Sequence, residues 1–139
     1  MIKTKERPIE FMNLRVLLVE DNDDTRQILR HMLENMGIMN IHEERDGLGA
    51  LTFLNTSIKK TDLILCDWSL PGMEGLSLLQ RLREEGSTIP FIIITGRGGG
   101  LGSIAEARHS GVTSFIQKPC SPVRLEVEIR LVMQKQMAA

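Results

Sequence analysis

Tyrosine is absent from the 139 residues, and the aromatics amount to four phenylalanines and one tryptophan. So few rings argue against a surface that stacks nucleic-acid bases. Cysteine is nearly as scarce. Cys66 and Cys120 form neither a disulfide framework nor a metal-ligand spacing, and a reducing cytoplasm is the simplest setting. Neither charge sign dominates, and a net charge of −1 gives no general pull toward nucleic acid. No apolar run approaches the roughly 20 residues that span a bilayer. The opening MIKTKERPIE has no apolar core of the kind a signal peptide needs. No Gly-Lys-Ser/Thr occurs, which removes a Walker-type phosphate loop.

What is present is ordinary for a globular protein with one core: 42% hydrophobic and 25% charged residues. The chain turns on residues 62–75, DLILCDWSLPGMEG. Leu63-Ile64-Leu65-Cys66 is a short apolar run that ends on Asp67 and breaks at Leu70-Pro71-Gly72, the pattern of a buried parallel strand. Alternation along a strand sends Leu63, Leu65 and Asp67 one way, and Ile64 and Cys66 the other. Alone, Asp67 reads as a turn or cap acid. Its weight comes from what else reaches the carboxyl edge, where open α/β sheets keep their ligand crevices.

Residues 1–13 read as a flexible leader. Arg15 to Val19 is a first apolar strand ending on Glu20-Asp21, with Asn22-Asp23-Asp24 as turn and N-cap material. Thr25 to Met36 carries Ile28, Leu29, Met32, Leu33 and Met36 at helical spacing, and Gly37 closes it. Residues 40–46, NIHEERD, fit a short polar edge strand with His42 at the surface. A short helix from Gly47 to Asn55 follows, with Leu48, Leu51 and Leu54 as its apolar stripe. After the strand ending at Asp67 come a helix from Glu74 to about Arg83 and a buried strand from Phe91 to Thr95, which ends on a hydroxyl. The glycine-rich stretch Gly96 to Gly102 is expected to be a mobile loop leading into a helix from Ser103 to Ser110. Its G-x-G-x-x-A, Gly100 to Ala105, is a degraded dinucleotide fingerprint in the wrong place. Val112 to Gln117 is a fifth strand, ending in Lys118-Pro119. The last segment, to Gln136, fits strand alternation and two helical rows alike, Val123-Val127-Leu131 and Leu125-Ile129-Val132. Ser121 as N-cap and Pro122 at the first helical position favour the helix.

Five strands alternating with five helices give a parallel sheet covered on both faces. Four of the five strands bring a polar or charged group to one edge: Glu20-Asp21, Asp67, Thr95 and Lys118. An acid pair, a lone acid, a hydroxyl and a lysine at one edge point to one site.

Four motifs carry a family resemblance: Leu18-Val19-Glu20-Asp21, Asp67-x-x-Leu70-Pro71-Gly72-Met73-x-Gly75, Ile94-Thr95-Gly96 and Lys118-Pro119. Each is weak alone. In this order, and each at a strand end, they resemble the response-regulator receiver domain of two-component signalling, over about residues 14–135. The resemblance implies a flavodoxin-like, doubly wound α/β fold with strand order 2-1-3-4-5. It implies a receiver domain over residues 14–136 with no output domain. It implies a cytoplasmic signalling protein rather than an enzyme, phosphorylated by a sensor histidine kinase or a histidine phosphotransfer protein. A downstream protein target is implied, with no direct nucleic-acid or membrane contact.

By the same resemblance Asp67 is the phosphoacceptor, and Asp21, Asp67 and the backbone carbonyl of Ser69 bind Mg²⁺. Glu20 stands where the family often has Asp, and its extra methylene implies contact through metal-bound water. Lys118 and Thr95 take phosphoryl oxygens, and Thr95 and Phe115 form the switch pair. The residue types suit these roles. A carboxylate can accept a phosphoryl group as an acyl phosphate. Clustered acids need a divalent cation, and oxygen donors suit Mg²⁺. Lysine supplies a point charge.

Other readings stay open at this stage. The receiver could switch a target directly, or relay its phosphoryl group to a histidine phosphotransfer protein. A flavodoxin-like nucleotide-binding module would need a phosphate loop after the first strand, where Glu20-Asp21-Asn22-Asp23-Asp24 would repel phosphate. An aspartyl-intermediate phosphatase would need a substrate cap for which the short chain has no room.

Overall fold

The computed structural model describes residues 10–96 and 101–138, with 101–104, 137 and 138 described by their backbone. Five strands form one sheet: β1 (Arg15–Val19), β2 (Asn40–Glu44), β3 (Leu63–Asp67), β4 (Phe91–Thr95) and β5 (Ser114–Gln117). Their order is β2-β1-β3-β4-β5, and every pairing is parallel. The connecting helices are α1 (Asp23–Asn35), α2 (Gly47–Thr56), α3 (Gly75–Glu84), α4 (Leu101–His109) and α5 (Pro122–Ala138). This is the expected doubly wound architecture.

Strand alternation divides the core into two halves. Leu63 and Leu65 of β3 pack with Leu29 and Leu33 of α1 and with Leu125 and Ile129 of α5. Ile64 and Cys66 face the other way, onto Ala50 and Leu51 of α2, Leu78 and Leu79 of α3 and Ala107 of α4. All five residues of β3, and all five of β4, are buried. Each fully buried Leu or Ile contributes about 1.5–3 kcal/mol over leaving it exposed. The central strands are therefore the best-buried part of the molecule.

The helix ends follow local chemistry. Asn22 Oδ1 accepts from Thr25 N at 2.9 Å and caps α1 two residues before the expected start. Gly37, at φ 96°, closes that helix in a conformation glycine adopts without penalty. Asp46 Oδ1 accepts from Gly49 N at 2.7 Å to cap α2. Ser121 Oγ accepts from Arg124 N at 3.1 Å, with Pro122 opening α5. The ambiguous last segment is thus a helix. Its Leu125-Ile129-Val132 row is buried, and its Val123-Val127-Leu131 row faces out.

Several boundaries differ from the sequence reading. The leader does not extend through residue 13. Phe11–Asn13 form a 3-10 turn, and Phe11 is buried in the α1–α5 half of the core, with the Arg130 guanidinium 4.5 Å over its ring. A lone aromatic in a charged stretch carries no periodicity, so nothing marked it as core. β2 stops at Glu44, because Asp46 caps α2. In α2 the stripe is rotated: Leu48 is exposed and Ala50 takes the buried position. β5 starts at Ser114 rather than Val112. Val112 N bonds Ala107 O and Gly111 sits at φ 91°, so Val112 belongs to the close of α4. Of the expected mobile loop, residues 97–100 lie outside the described residues, while Leu101 and Gly102 already belong to α4.

Candidate functional site

The register of the sheet brings the polar strand ends together. Val19 pairs with Cys66, Asp67 with Ile94, and Thr95 with Gln117. Glu20 and Asp21 follow β1, Asp67 ends β3, Thr95 ends β4 and Lys118 follows β5. Ordinary strand length and parallel pairing are enough to assemble them.

At the centre lies the Lys118 ammonium. Its Nζ is 2.9 Å from Glu20 Oε1 and 3.2 Å from Asp67 Oδ2. Glu20 is 1% exposed, and its second oxygen accepts from Asn22 N at 3.1 Å. Asp67 Oδ1 accepts from Ser69 N at 3.3 Å, which sets Ser69 beside the carboxylate. Glu20, Asp21 and Asp67 each offer an oxygen within 4.8 Å of the others. Burial holds the Glu20 carboxyl above its ordinary pKa, aided by the charge of Asp67 and opposed by the Lys118 and Asn22 hydrogen bonds. Burial lowers the Lys118 ammonium, but the Glu20 hydrogen bond and the two carboxylate charges outweigh it, so its pKa is raised.

Three carboxylates meet one ammonium here, a surplus of negative charge with oxygen donors only. Such a donor set fits a hard divalent cation. Asp21 is exposed, whereas both Glu20 oxygens already accept bonds. Both Asp67 oxygens accept bonds as well, so the three acids fit such a cation as a group, with Asp21 the one open to solvent.

The sequence-predicted residues do not all converge. Thr95 is buried at the same edge, but its Oγ1 donates to Gly96 O at 3.2 Å. Strand alternation sends Thr95 and Phe115 to the α4 face, and Asp67 to the α1–α5 face. Phe115 is half-buried there, with the Arg108 guanidinium 5.8 Å over its ring. Trp68, next to Asp67 in the chain, is half-buried. His31, His42 and His109 are all exposed.

Sequence reasoning also passed over supporting residues. A Cβ on Gly75 would meet Asp67 O at 2.5 Å, and Gly75 N donates to Trp68 O at 3.0 Å. The loop after β3 folds back so tightly that only glycine fits there. Asn22 was read as a helix cap alone, yet its own N–H holds Glu20. That donor is a backbone amide, so the residue type at position 22 carried no sign of it.

Over residues 16–130 the sequence matches the response regulator receiver domain family. The chain belongs to that family. Among its relatives, the chemotaxis protein CheY-3 of Vibrio cholerae is 32% identical over 125 residues, spanning 88% of this chain and 94% of the relative. The chemotaxis protein CheY of Pseudomonas aeruginosa is 29% identical over 124 residues, spanning 88% of this chain and 98% of the relative. Among solved structures, the signal receiver domain of an HD domain-containing protein from Pseudomonas fluorescens superposes with a TM-score of 0.81 at 27% identity, over 91% of this chain and 98% of the other.

This receiver domain is therefore a module of two-component signalling, in a family whose role is signalling rather than catalysis. Its acidic cluster is one that could hold a metal ion. Among the described residues no helix is long and apolar enough to cross a membrane. The dinucleotide reading gains no support, since α1 opens behind Glu20 and Asp21 rather than behind a glycine-rich phosphate loop.

Proposed function

We propose that this receiver accepts a phosphoryl group on Asp67 and uses it to switch the binding of a protein partner. One observation carries the reading: a carboxylate ending the central strand lies 3.2 Å from a lysine ammonium and within reach of two further acids. An Asp67 oxygen attacks the phosphorus of a phosphohistidine. The new O–P bond gives an acyl phosphate, and the P–N bond breaks with its electron pair leaving on the imidazole. Asp21, Asp67 and the Ser69 carbonyl hold Mg²⁺, with Glu20 acting through water. The cation supplies charge neutralisation between the carboxylates and the incoming phosphoryl group. Lys118 leaves its carboxylate contacts for a phosphoryl oxygen. Thr95 turns its hydroxyl from Gly96 O to another. Phe115, on the same face of the sheet, follows Thr95 and passes the change to the surface of α4, β5 and α5.

The donor's docking place is the apolar crevice beside Lys118, about 430 Å³ between α1 and the β5–α5 turn, with Ile28 exposed at its rim and Met32 and Cys120 in its wall. A sensor kinase or phosphotransfer helix laying an apolar face there would bring its phosphohistidine to Asp67. A cytoplasmic setting agrees with the two free cysteines. The domain is taken to run from Phe11 to the end of α5.

Acetyl phosphate with Mg²⁺ tests the reading. Hydroxylamine-sensitive label should appear on wild-type protein and map by mass to Asp67. A label on any other carboxylate would overturn the assignment.

A further inference from the structure

A cation in the first turn of a helix opposes the helix dipole. Arg26 sits in that turn of α1, directly after Asp23, Asp24 and Thr25, and its side chain is only 15% exposed. A residue that breaks a local rule and is held in place by tertiary contacts is a candidate for function.

The Arg26 guanidinium serves three elements at once. Nη1 donates to the backbone carbonyl of Glu20 at 2.9 Å. Nε donates to Glu43 of β2 at 3.0 Å, and Nη2 to Asp23 at 2.7 Å. The two carboxylates are in turn shared: Glu43 with Arg30 at 2.7 Å, and Asp23 with Arg45 at 2.6 Å. The Arg26–Asp23 pair is exposed at its acid and the Arg26–Glu43 pair is half-buried, and neither acid belongs to the site. The carbonyl bond is different. The peptide joining Glu20 to Asp21 is planar, so fixing the Glu20 carbonyl fixes the amide from which Asp21 departs. Asn22 N grips the Glu20 carboxylate from the opposite side.

From this geometry we infer that Arg26 is a positioning residue for the metal site: it clamps the Glu20–Asp21 peptide so that the two acids are presented together. The inference rests on the proposed metal reading and adds to it a residue outside the ligand set. Groups that orient metal ligands typically contribute about 10–100-fold in affinity.

The experiment is a Mg²⁺ titration of the full chain read by Trp68 fluorescence, with thermal melting of each variant in parallel. Arg26→Lys keeps the charge but not the fork: its donors leave from one nitrogen and cannot span acceptors now reached from Nε, Nη1 and Nη2. Its Mg²⁺ Kd should rise about tenfold, the low end of that range, and Arg26→Met should weaken binding further. Labelling by acetyl phosphate should recover in Arg26→Lys at saturating Mg²⁺, because the acceptor itself is untouched. Glu43→Gln removes the surface charge and leaves the carbonyl bond. It should lower the melting temperature slightly while holding the Mg²⁺ Kd within about twofold, since it weakens a half-buried ion pair and leaves the bond to the Glu20 carbonyl in place. Wild-type affinity in Arg26→Lys and Arg26→Met, with only melting reduced, would overturn the inference. So would a Glu43→Gln protein that loses as much affinity as Arg26→Lys, because the clamp would then be no more than ion-pair stability. If wild type itself shows no Mg²⁺ response by fluorescence or by a melting shift, the metal reading fails first and this inference with it.

Discussion

At the β1 end of the site, Glu20 accepts a bond on each carboxylate oxygen, its carbonyl accepts another from Arg26, and Asn22 both caps α1 and donates to Glu20. At the β4 end, the Thr95 carbonyl accepts from Lys118 N at 2.7 Å, but among the described residues its hydroxyl has one partner, the carbonyl of its own neighbour Gly96. Among the described residues, a Cβ on Gly96 would meet nothing nearer than Lys118 Cδ, at a van der Waals contact of 3.9 Å. Glu20 and Thr95 are both buried at the same edge of the sheet, but their side chains are held differently, by two bonds and by one. On the proposed reading, the acid half is assembled before phosphorylation and the hydroxyl half afterwards. A metal site gains from ligands already in position, whereas a switch needs a group with two places to go.

Substitutions in the two halves should therefore fail differently. The largest effect is expected at Asp67, which belongs to both. Asp67→Asn should lose all acetyl phosphate labelling while its circular dichroism stays that of wild type. Labelling at the wild-type rate would remove the basis of the comparison. Next comes Asp21→Asn, in the acid half. It takes a charged ligand away, so Mg²⁺ affinity should fall by about tenfold or more, with labelling falling in step. Trp68 fluorescence reads the first and intact mass the second, and unchanged Mg²⁺ binding would take Asp21 out of the ligand set.

Lys118 bridges the halves. Lys118→Ala leaves Glu20 and Asp67 facing each other without their shared cation. Removing one partner of a fully buried pair costs about 3–5 kcal/mol. The ammonium here is 27% exposed, so about 1–2 kcal/mol is expected after solvent screening. Thermal melts should show the loss in metal-free buffer and a smaller one in Mg²⁺. A loss of equal size in both would mean that the cation does not share the carboxylates with Lys118. The smallest effect on the resting protein is expected at Thr95. Its hydroxyl makes one local bond, so Thr95→Ala should cost about 1 kcal/mol or less. Labelling should persist, while the amide shifts of α4, β5 and α5 on phosphorylation should vanish. Shifts of wild-type size in Thr95→Ala would move the switch to another residue.

Much of this was legible in the chain because buried parallel strands leave a plain mark. Leu63-Ile64-Leu65-Cys66 and Phe91-Ile92-Ile93-Ile94 are continuous apolar runs, since both of their faces are covered. β2 was legible only by its place in the alternation, because an edge strand carries polar residues. The acids were legible as strand ends. Their grouping was legible because parallel strands put their carboxyl ends at one edge, and the resemblance gave each a role; the Glu20–Lys118 contact itself spans 98 residues and leaves no local pattern. Arg26 was hidden for a simpler reason. It falls one step off the apolar stripe of α1, where a sequence shows only a charged residue on a helix. Phe11 was hidden because its partner, Arg130, lies at the other end of the chain.

That last pair fixes more than a boundary. Phe11 precedes the first strand, Arg130 lies in the last helix, and they meet face to ring at 4.5 Å. Both ends of the described chain therefore lie on the α1–α5 side of the sheet, while the loop at Ser57–Lys60, with Ile58 fully exposed, lies between α2 and β3. Sequence order around such a closed circuit is partly a matter of where the cut falls. A circular permutant that runs from α5 through a short linker into Phe11, and opens at residues 57–60, would keep every strand beside its present neighbours. The carboxylates and the lysine would meet at the same edge, although in the new order Lys118 would be translated before Glu20.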